Sequence, residues 1–285
     1  MDVAAAAPSF DSAWATNLDA ADLPVLPDVT EQVLRMASDP QSSLQDLAQV
    51  LSRDAAIAAN IMRLANSPLY RGREPIVTLH QAAARLGTMK LRDVAVLVAS
   101  ESRLFRARGF EVEARQAFTH GLLTGLWAQE LARRLRGAVE EAFLAGLLHD
   151  VGTPLLLQAA CDRIVNPGSC RDQILLVVAQ RHASVGADLC RRWRLPERLA
   201  VTLQHHHDAL PNAAGTMGET IALADDLADA CEQELDEQAL VARTSAHPAA
   251  ARLNLYDDDI VGLVRMKDTL VATAGAVANP SRAAS

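Results

Sequence analysis

Aromatic residues are scarce in this chain, and the alternation of β-branched and polar residues that is typical of strands is nearly absent. Only 4% of the residues are Phe, Trp or Tyr, whereas 50% are hydrophobic, with Ala and Leu recurring throughout. Ala and Leu are favourable in helices. The composition therefore predicts an all-α protein, and 285 residues are enough for one large domain or two small ones with a hydrophobic core.

The chain also lacks the excess of positive charge that binding to nucleic acid or to an anionic membrane requires. It has 27 Lys and Arg against 35 Asp and Glu, which gives a formal net charge of -8. Two local arginine clusters occur, one at Arg133, Arg134 and Arg136 and the other at Arg191, Arg192 and Arg194. Such clusters are more often solvated helix faces than phosphate-binding patches. We therefore expect no direct contact with nucleic acid and no membrane association.

CxxC pairs, a basic amino terminus and long apolar runs are lacking too. The four cysteines have no metal-binding or disulfide spacing, and they fit buried thiols in a reducing compartment: Cys161, Cys170, Cys190 and Cys231. The first residues, MDVAAAAPSF, do not resemble a signal peptide, and no run approaches the ~18 apolar residues that span a bilayer. These absences predict a cytoplasmic protein.

Helical periodicity and helix-ending residues divide the chain into two helical units. We expect a flexible tail at residues 1–22, an N-terminal unit at 23–110, a second unit at 111–275 and a flexible tail at 276–285. In the N-terminal unit, Ser43 with Asp46 predicts a capping box, and Asp54 predicts a helix N-cap. Gly87 is expected to end a short helix. The second unit is predicted to contain these helices: Ala114–Leu135, Val139–His149, Ile174–Ala179, Val185–Trp193, Pro196–His207, Thr216–Leu235 and Ile260–Ala274.

The apolar stretch FLAGLLHDVGTPLLL contains His149 and Asp150 side by side. Burying an ionised carboxylate costs several kcal/mol unless it is paired. Three kinds of site would account for this placement: a metal site, a catalytic acid–base pair, or an inherited site that has lost its catalytic activity. Because neighbours on a helix diverge by about 100°, they can meet at one ion only where the helix ends. Gly152 and Pro154 predict such an end here.

Donor residues are concentrated in the second unit. Six of the eight histidines lie between His120 and His207, and Asp225 adjoins the apolar face of a predicted helix. Each of them alone is more often a hydrogen-bonded core residue or part of a solvated helix end. Together they predict one metal centre, and imidazoles with a few carboxylates suit Fe, Mn, Ni or Zn rather than Ca or Mg.

The order His120, His149-Asp150 and Asp225 resembles the pattern of the HD superfamily of metal-dependent phosphohydrolases. The surrounding segments resemble, more specifically, the HDOD family, and the resemblance covers roughly residues 23–229. The matching segments are LPVLPDVTEQVLRMASDP, LSRDAAIAANIMRLANSPLYRG, VTLHQAAARLGTMKLRDVAVL, EEAFLAGLLHDVG, HASVGADLCRRWRLPERLAVTLQHHH and IALADDLAD. The resemblance implies a bacterial, all-helical signal-transduction output module, with an N-terminal bundle packed on an HD-like unit. It also implies a signalling protein or a small ligand, such as a nucleotide, as partner.

Similarity to the HD-GYP branch of the superfamily implies a cage for one or two metal ions. Its ligands would be His120, His149, Asp150, His182, His206, His207 and Asp225, with Asp150 as the bridging carboxylate. Two departures from that branch argue against catalysis. Thr153 stands where the branch has the lysine of HDxGK, and HHHDALPNAAG contains no GYP element, so we do not expect hydrolysis of cyclic di-GMP.

Three functions are consistent with these features. We favour a non-catalytic signalling module that acts by binding a protein or a small ligand. A metal-dependent phosphohydrolase, with Asp150 as an essential residue, is the second hypothesis. A regulator that binds a nucleotide second messenger without cleaving it is the third.

Overall fold

The computed structural model describes residues 23–39, 41–104, 107–208 and 214–278, together with Trp14. Within these residues the chain forms fourteen α-helices and one short 3-10 helix, and it contains no strand. The prediction of an all-α protein is confirmed. Apart from Trp14, the predicted tail at 1–22 lies outside the described residues, as do residues 279–285 of the C-terminal tail.

Four helices form the N-terminal unit: α1 (Asp28–Ala37), α2 (Leu44–Leu51), α3 (Ala55–Ala65) and α4 (Leu79–Leu104). The predicted caps are present. The Ser43 side chain accepts a hydrogen bond from the backbone N–H of Asp46, and the Asp46 side chain accepts one from the backbone N–H of Ser43. Asp54 caps α3. Gly87 has φ 79° and interrupts α4, so the short helix ends where the sequence predicts and a second segment continues from it.

Ten helices form the second unit. They are α5 (Glu111–Arg134), α6 (Val139–Leu148), α7 (Gly152–Arg163), α8 (Arg171–Arg192), α9 (Glu197–Gln204), α10 (Gly215–Glu232), α11 (Glu237–Ala246), α12 (Pro248–Arg252), α13 (Asp257–Val264) and α14 (Lys267–Ala278). The 3-10 helix Pro167–Cys170 precedes α8. The two units pack together where α4 meets α6 and α7 and where α3 meets α14.

Several helices differ from the prediction. The segments predicted at 174–179 and 185–193 are parts of one helix, α8, and the helix predicted at 260–274 is two helices, α13 and α14. Helices α7, α11 and α12 were not predicted. Pro154 lies in the first turn of α7, where a missing N–H costs little, so this proline does not prevent a helix from beginning at Gly152. Asp236 caps α11, and Pro248 begins α12.

Helix α5 lies at the centre of the second unit and packs against α6, α10 and α14. Its middle is buried on every side, from His120 to Gln129. A helix buried all round belongs to the core of a large domain. His120 therefore begins the buried part of a core helix.

Glycines allow α5 and α6 to touch backbone to backbone. A Cβ atom added at Gly121 would lie 2.8 Å from the carbonyl oxygen of Leu147, and one added at Gly125 would lie 2.9 Å from that of Phe143. A Cβ atom at Gly146 would lie 2.8 Å from the Cα of Gly125. This close approach brings the start of the buried part of α5 next to the end of α6.

One segment, Val139–Arg163, is long and apolar enough to meet the length and hydropathy expected of a membrane span. It comprises α6, α7 and the break between them, and 83% of its most apolar window is buried inside the fold. Such burial is typical of helices in a protein core.

Candidate metal centre

Three histidines are fixed in the same way by the backbone. The Nδ1 atoms of His149, His182 and His206 each lie within hydrogen-bond distance of a carbonyl oxygen three or four residues earlier. The distances are 2.7 Å to Gly146, 3.1 Å to Val178 and 2.6 Å to Leu203. When Nδ1–H donates to a carbonyl, the neutral ring has its lone pair on Nε2. Metal-ligating histidines are commonly oriented by such a bond.

Asp150 lies at the centre of these imidazoles. Its Oδ1 atom is 3.1 Å from Nε2 of His182, 3.4 Å from Nε2 of His206 and 3.7 Å from Nε2 of His149. His182 and His206 come from helix α8 and from the end of helix α9, respectively. One carboxylate oxygen is therefore shared by three imidazoles from different parts of the fold.

Helix ends place His149, Asp150 and His206, as the sequence predicts, whereas His182 lies within α8. His149 directly follows α6, and Asp150 lies in the turn before Gly152 begins α7. A Cβ atom at Gly152 would lie 2.0 Å from the carbonyl oxygen of His182, so the first turn of α7 touches the backbone of α8. This contact brings Asp150 within reach of His182.

The remaining predicted ligands complete the same cluster. Asp225 from α10 places Oδ1 2.7 Å from Nε2 of His120 and 3.4 Å from Nε2 of His149. The Nε2 atom of His207 lies 2.9 Å from Nε2 of His182. The structure thus brings all seven predicted residues together, whereas the neighbouring His205 contacts Asp208, with 2.7 Å between Nδ1 and Oδ2.

Three buried polar atoms in this cluster have no hydrogen-bond partner among the described residues. They are Nε2 of His149, Nε2 of His206 and Oδ1 of Asp150. A buried polar atom without a partner costs about 1–3 kcal/mol, so such atoms are rare in folded proteins. Here all three belong to one cluster of nitrogen and oxygen donors. This donor set fits a transition-metal cation.

The donors form two overlapping groups around Asp150. One group contains Asp150, His182, His206 and His207, and the other contains His120, His149 and Asp150. Within each group the ligand atoms lie within 4.8 Å of one another. The arrangement suits two ions that share Asp150.

The two carboxylates of the cluster have strongly lowered pKa values. Burial tends to raise the pKa of Asp150, but His149, His182 and His206 hold it well below the usual value. His120 and His149 likewise hold the pKa of Asp225 far below its usual range, despite burial. Both carboxylates are therefore ionised at neutral pH.

Two of the histidines have opposite pKa shifts. Burial opposes protonation of His120, but its hydrogen bonds to Asp225 and Glu232 raise its pKa to about 10. Burial, together with the nearby His206 and His182, lowers the pKa of His207 to about 4. His207 is therefore neutral at pH 7 and has a lone pair to offer.

Two acidic residues near His120 were missed by the sequence analysis. The Nδ1 atom of His120 lies 3.1 Å from Oε1 of Glu232 and 3.8 Å from Oδ1 of Asp229. Asp225, Asp229 and Glu232 follow one another at helical spacing on α10, so this face of the helix carried a signal that could have identified them. Glu232 orients His120 as the backbone carbonyls orient the other three histidines.

A cleft of about 520 Å³ opens beside the cluster. Its lining includes His206 and His207 and four acidic residues: Asp208, Asp225, Asp226 and Asp229. Arg252 also lines the cleft, but its Nε atom lies 3.0 Å from Oε1 of Glu219. Asp226 is paired in the same way with Arg243, at 2.8 Å. The described lining therefore keeps three other aspartates and no unpaired arginine.

Solved structures share this fold. A protein from Shewanella amazonensis SB2B, provisionally named a phosphohydrolase, superposes with a TM-score of 0.71 at 20% identity, over 90% of this chain and 96% of its own. A second protein from that organism is provisionally named a metal-dependent phosphohydrolase. It superposes with a TM-score of 0.65 at 20% identity, over 90% of this chain and 91% of its own. An HDOD domain protein of unknown function from Geobacter sulfurreducens superposes with a TM-score of 0.67 at 24% identity, over 90% of this chain and 93% of its own. At these identities the likeness shows the fold alone.

Of two sequence comparisons, the second identifies the family. An uncharacterized protein of Treponema pallidum (strain Nichols) is 26% identical in an alignment of 204 residues that covers 67% of this chain and 39% of that protein. This chain thus matches less than half the length of that relative. The model of the HDOD domain matches residues 23–209, which is more than half of the chain. The chain therefore belongs to the HDOD family.

Proposed function

We propose that this chain is a signalling module that holds one or two transition-metal ions and acts by binding a protein or a small ligand, without catalysis. The observation that carries the proposal is the combination of a complete donor cage with an acidic entrance. The cage contains buried donor atoms that have no hydrogen-bond partner among the described residues, which supports metal binding. The described lining of the entrance is poor in the positive charge that a phosphate substrate requires.

The side chains of the cage would hold the metal as follows. His149, His182 and His206 would offer Nε2, since their Nδ1 atoms face backbone carbonyls. Asp150 would serve both donor groups, because it is the residue that belongs to each of them. A bound ion of this class supplies Lewis-acid chemistry and can lower the pKa of a bound water.

The second candidate function is metal-dependent phosphohydrolysis. The complete donor set and the 520 Å³ cleft beside it support this candidate. So do the provisional names of the two Shewanella proteins. Against it stand the acidic lining and Thr153, which cannot neutralise a phosphate as a lysine would. Arg252, the arginine of the described lining, is already paired with Glu219.

Metal analysis and an activity assay on the same sample test the proposal. Protein purified anaerobically with iron or manganese supplied should contain about one or two ions per chain, as the two donor groups suggest. Asp150→Ala should lose them. Asp208→Ala, which removes a carboxylate from the cleft outside the two donor groups, should keep them. Absence of metal from the wild-type protein would refute the metal centre.

The activity assay distinguishes the two functions. The proposal expects no metal-dependent turnover of p-nitrophenyl phosphate by the metal-loaded protein. Turnover that needs the metal and disappears in Asp150→Ala would establish the phosphohydrolase instead. Turnover that persists in Asp150→Ala would come from a contaminant and would leave the non-catalytic proposal standing.

A further inference from the structure

A second concave site lies between the two helical units, and none of its lining residues belongs to the metal centre. This groove has a volume of about 670 Å³ and is lined by α1, α4 and α6 and by the segment that leads from Trp193 into α9. Small-molecule sites usually measure about 300–1,000 Å³ and often lie where two parts of a fold meet. The groove therefore has the size and the position of a ligand site.

The inner wall of the groove is apolar and well fixed. Leu34, Met89, Leu144 and Leu199 contribute aliphatic or thioether surface, and Trp193 contributes an indole. Trp193 is only 6% exposed, and its Nε1–H donates to the carbonyl oxygen of Pro24 at 2.9 Å. A tryptophan held by packing and by a hydrogen bond offers a preformed surface for an apolar ligand group.

The charges around the groove are mostly paired, with one exception. Three of its four arginines form ion pairs: Arg35 with Glu31, Arg92 with Asp93 and Arg198 with Glu141. Arg194 lines the groove and is exposed, and its guanidinium has no hydrogen bond or ion pair with the described residues, although its backbone N–H donates to the carbonyl oxygen of Arg191. The groove therefore has an uncompensated positive charge in a chain whose formal net charge is -8.

We infer that this groove binds a small amphipathic anion, with an apolar body against Trp193 and Leu144 and an acidic headgroup at Arg194. Charge complementarity supports an anion, and the volume of about 670 Å³ supports a small molecule rather than a folded partner. The inference rests on the proposed role of the chain as a binding module. Its test requires no metal, so a failure of the metal centre and a failure of the groove are distinguishable.

Anilinonaphthalene sulfonate is a suitable probe because it joins an apolar ring system to one acidic group. Titration of the full chain, followed by fluorescence and by equilibrium dialysis, should show one saturable site. Arg194→Glu replaces attraction by repulsion and should raise the Kd by about fivefold or more. Ser38→Trp, an exposed position on the rim, should raise the Kd by filling the groove.

Arg136→Glu is the matched control. Arg136 lies two residues after the end of α5 and Arg194 two residues after the end of α8, with φ values of 54° and 56°, and both side chains are exposed. The two substitutions change the net charge equally, but Arg136 does not line the groove. The Kd of Arg136→Glu should stay close to that of the wild-type protein.

Four outcomes would overturn the inference. Equal weakening by both arginine variants would show a long-range effect of net charge. Binding that is unaffected by Arg194→Glu and by Ser38→Trp would place the dye elsewhere. Absence of a saturable site would leave the groove to a protein partner or to another segment of this chain. Displacement of the dye by inorganic phosphate as effectively as by naphthyl phosphate would contradict the need for an apolar body.

Discussion

The Nε2 atoms of His182 and His207 lie 2.9 Å apart, one on α8 and the other just after α9. Because Nδ1 of His182 faces the carbonyl oxygen of Val178, Nε2 is the nitrogen that faces both His207 and, at 3.1 Å, Oδ1 of Asp150. Two such nitrogens are well placed to share a cation, and His207 is neutral at pH 7 because its pKa is about 4.

The first prediction concerns the two overlapping donor groups. His207 belongs to only one of them, so His207→Ala should lose one ion and lower the metal content from about two ions per chain to about one. His205→Ala is the control, since His205 contacts Asp208 and is not among the grouped donors. Elemental analysis of the two purified variants measures the difference. Complete loss of metal in His207→Ala would argue for a single ion.

The second prediction concerns Glu232 as the partner that orients His120. Glu232→Gln removes the charge that faces Nδ1 of His120 at 3.1 Å, and it should weaken metal binding by about tenfold, as loss of such partners commonly does. Glu234→Gln, two residues further on at a position with positive φ, should have no effect. Competition with a metal-binding dye gives both affinities. Equal affinities would show that Glu232 does not support the site.

The third prediction concerns the contact between α5 and α6. Gly125→Ala places a Cβ atom 2.9 Å from the carbonyl oxygen of Phe143 and should lower the free energy of unfolding by about 1–3 kcal/mol. It should also reduce metal content, because the helices that carry His120 and His149 must separate. Gly275→Ala in α14 is the control, since nothing lies within 4 Å of its added Cβ. That change should raise the free energy of unfolding by about 0.5–1 kcal/mol in urea unfolding.

The fourth prediction concerns Lys90, which joins the two units. Its Nζ atom lies 2.5 Å from Oε1 of Gln129 on α5 and 3.1 Å from the ring centroid of Phe143 on α6. Burial lowers the pKa of Lys90 to about 7. Between pH 7 and the unfolded pKa of about 10.4, the unfolded chain binds more protons at this residue, so stability rises with pH.

Lys90→Met should remove this pH dependence. The free energy of unfolding of the wild-type protein, relative to that of the variant, should increase by about 1–2 kcal/mol from pH 7 to pH 9. Chemical unfolding of both proteins at the two pH values measures it, and taking the difference cancels the titration of the histidines. A difference that stays flat or falls with pH would mean that Lys90 is charged in the folded protein.

The sequence predicted the fold class and the caps at Ser43 and Asp54 because these follow from local preferences. It also predicted that His149 and Asp150 meet other donors at a helix end, since the helical repeat requires it. It did not predict that α7 begins at Gly152, because Pro154 was interpreted as a helix-ending residue. The role of Glu232 depends on how α10 is turned towards α5, and only tertiary packing determines that angle.

The groove beside Trp193 could not be predicted from the sequence, for a similar reason. Its wall combines α1 and α4 with α6 and α9, and each of these helices shows only an ordinary amphipathic or apolar pattern. Arg194 was part of an arginine cluster interpreted as a solvated helix face. Its exposure fits that interpretation, but its place beside an apolar wall becomes visible only when the two units are packed.

Four glycines at helix contacts bear on how relatives of this protein are recognised. Gly121, Gly125 and Gly146 bring α5 and α6 together, and Gly152 touches the backbone of His182. A search template that asks only for the histidines and aspartates would accept chains whose helices are held too far apart to close the cage. Requiring small residues at these four positions as well would select for the spacing between helices and not only for the ligands.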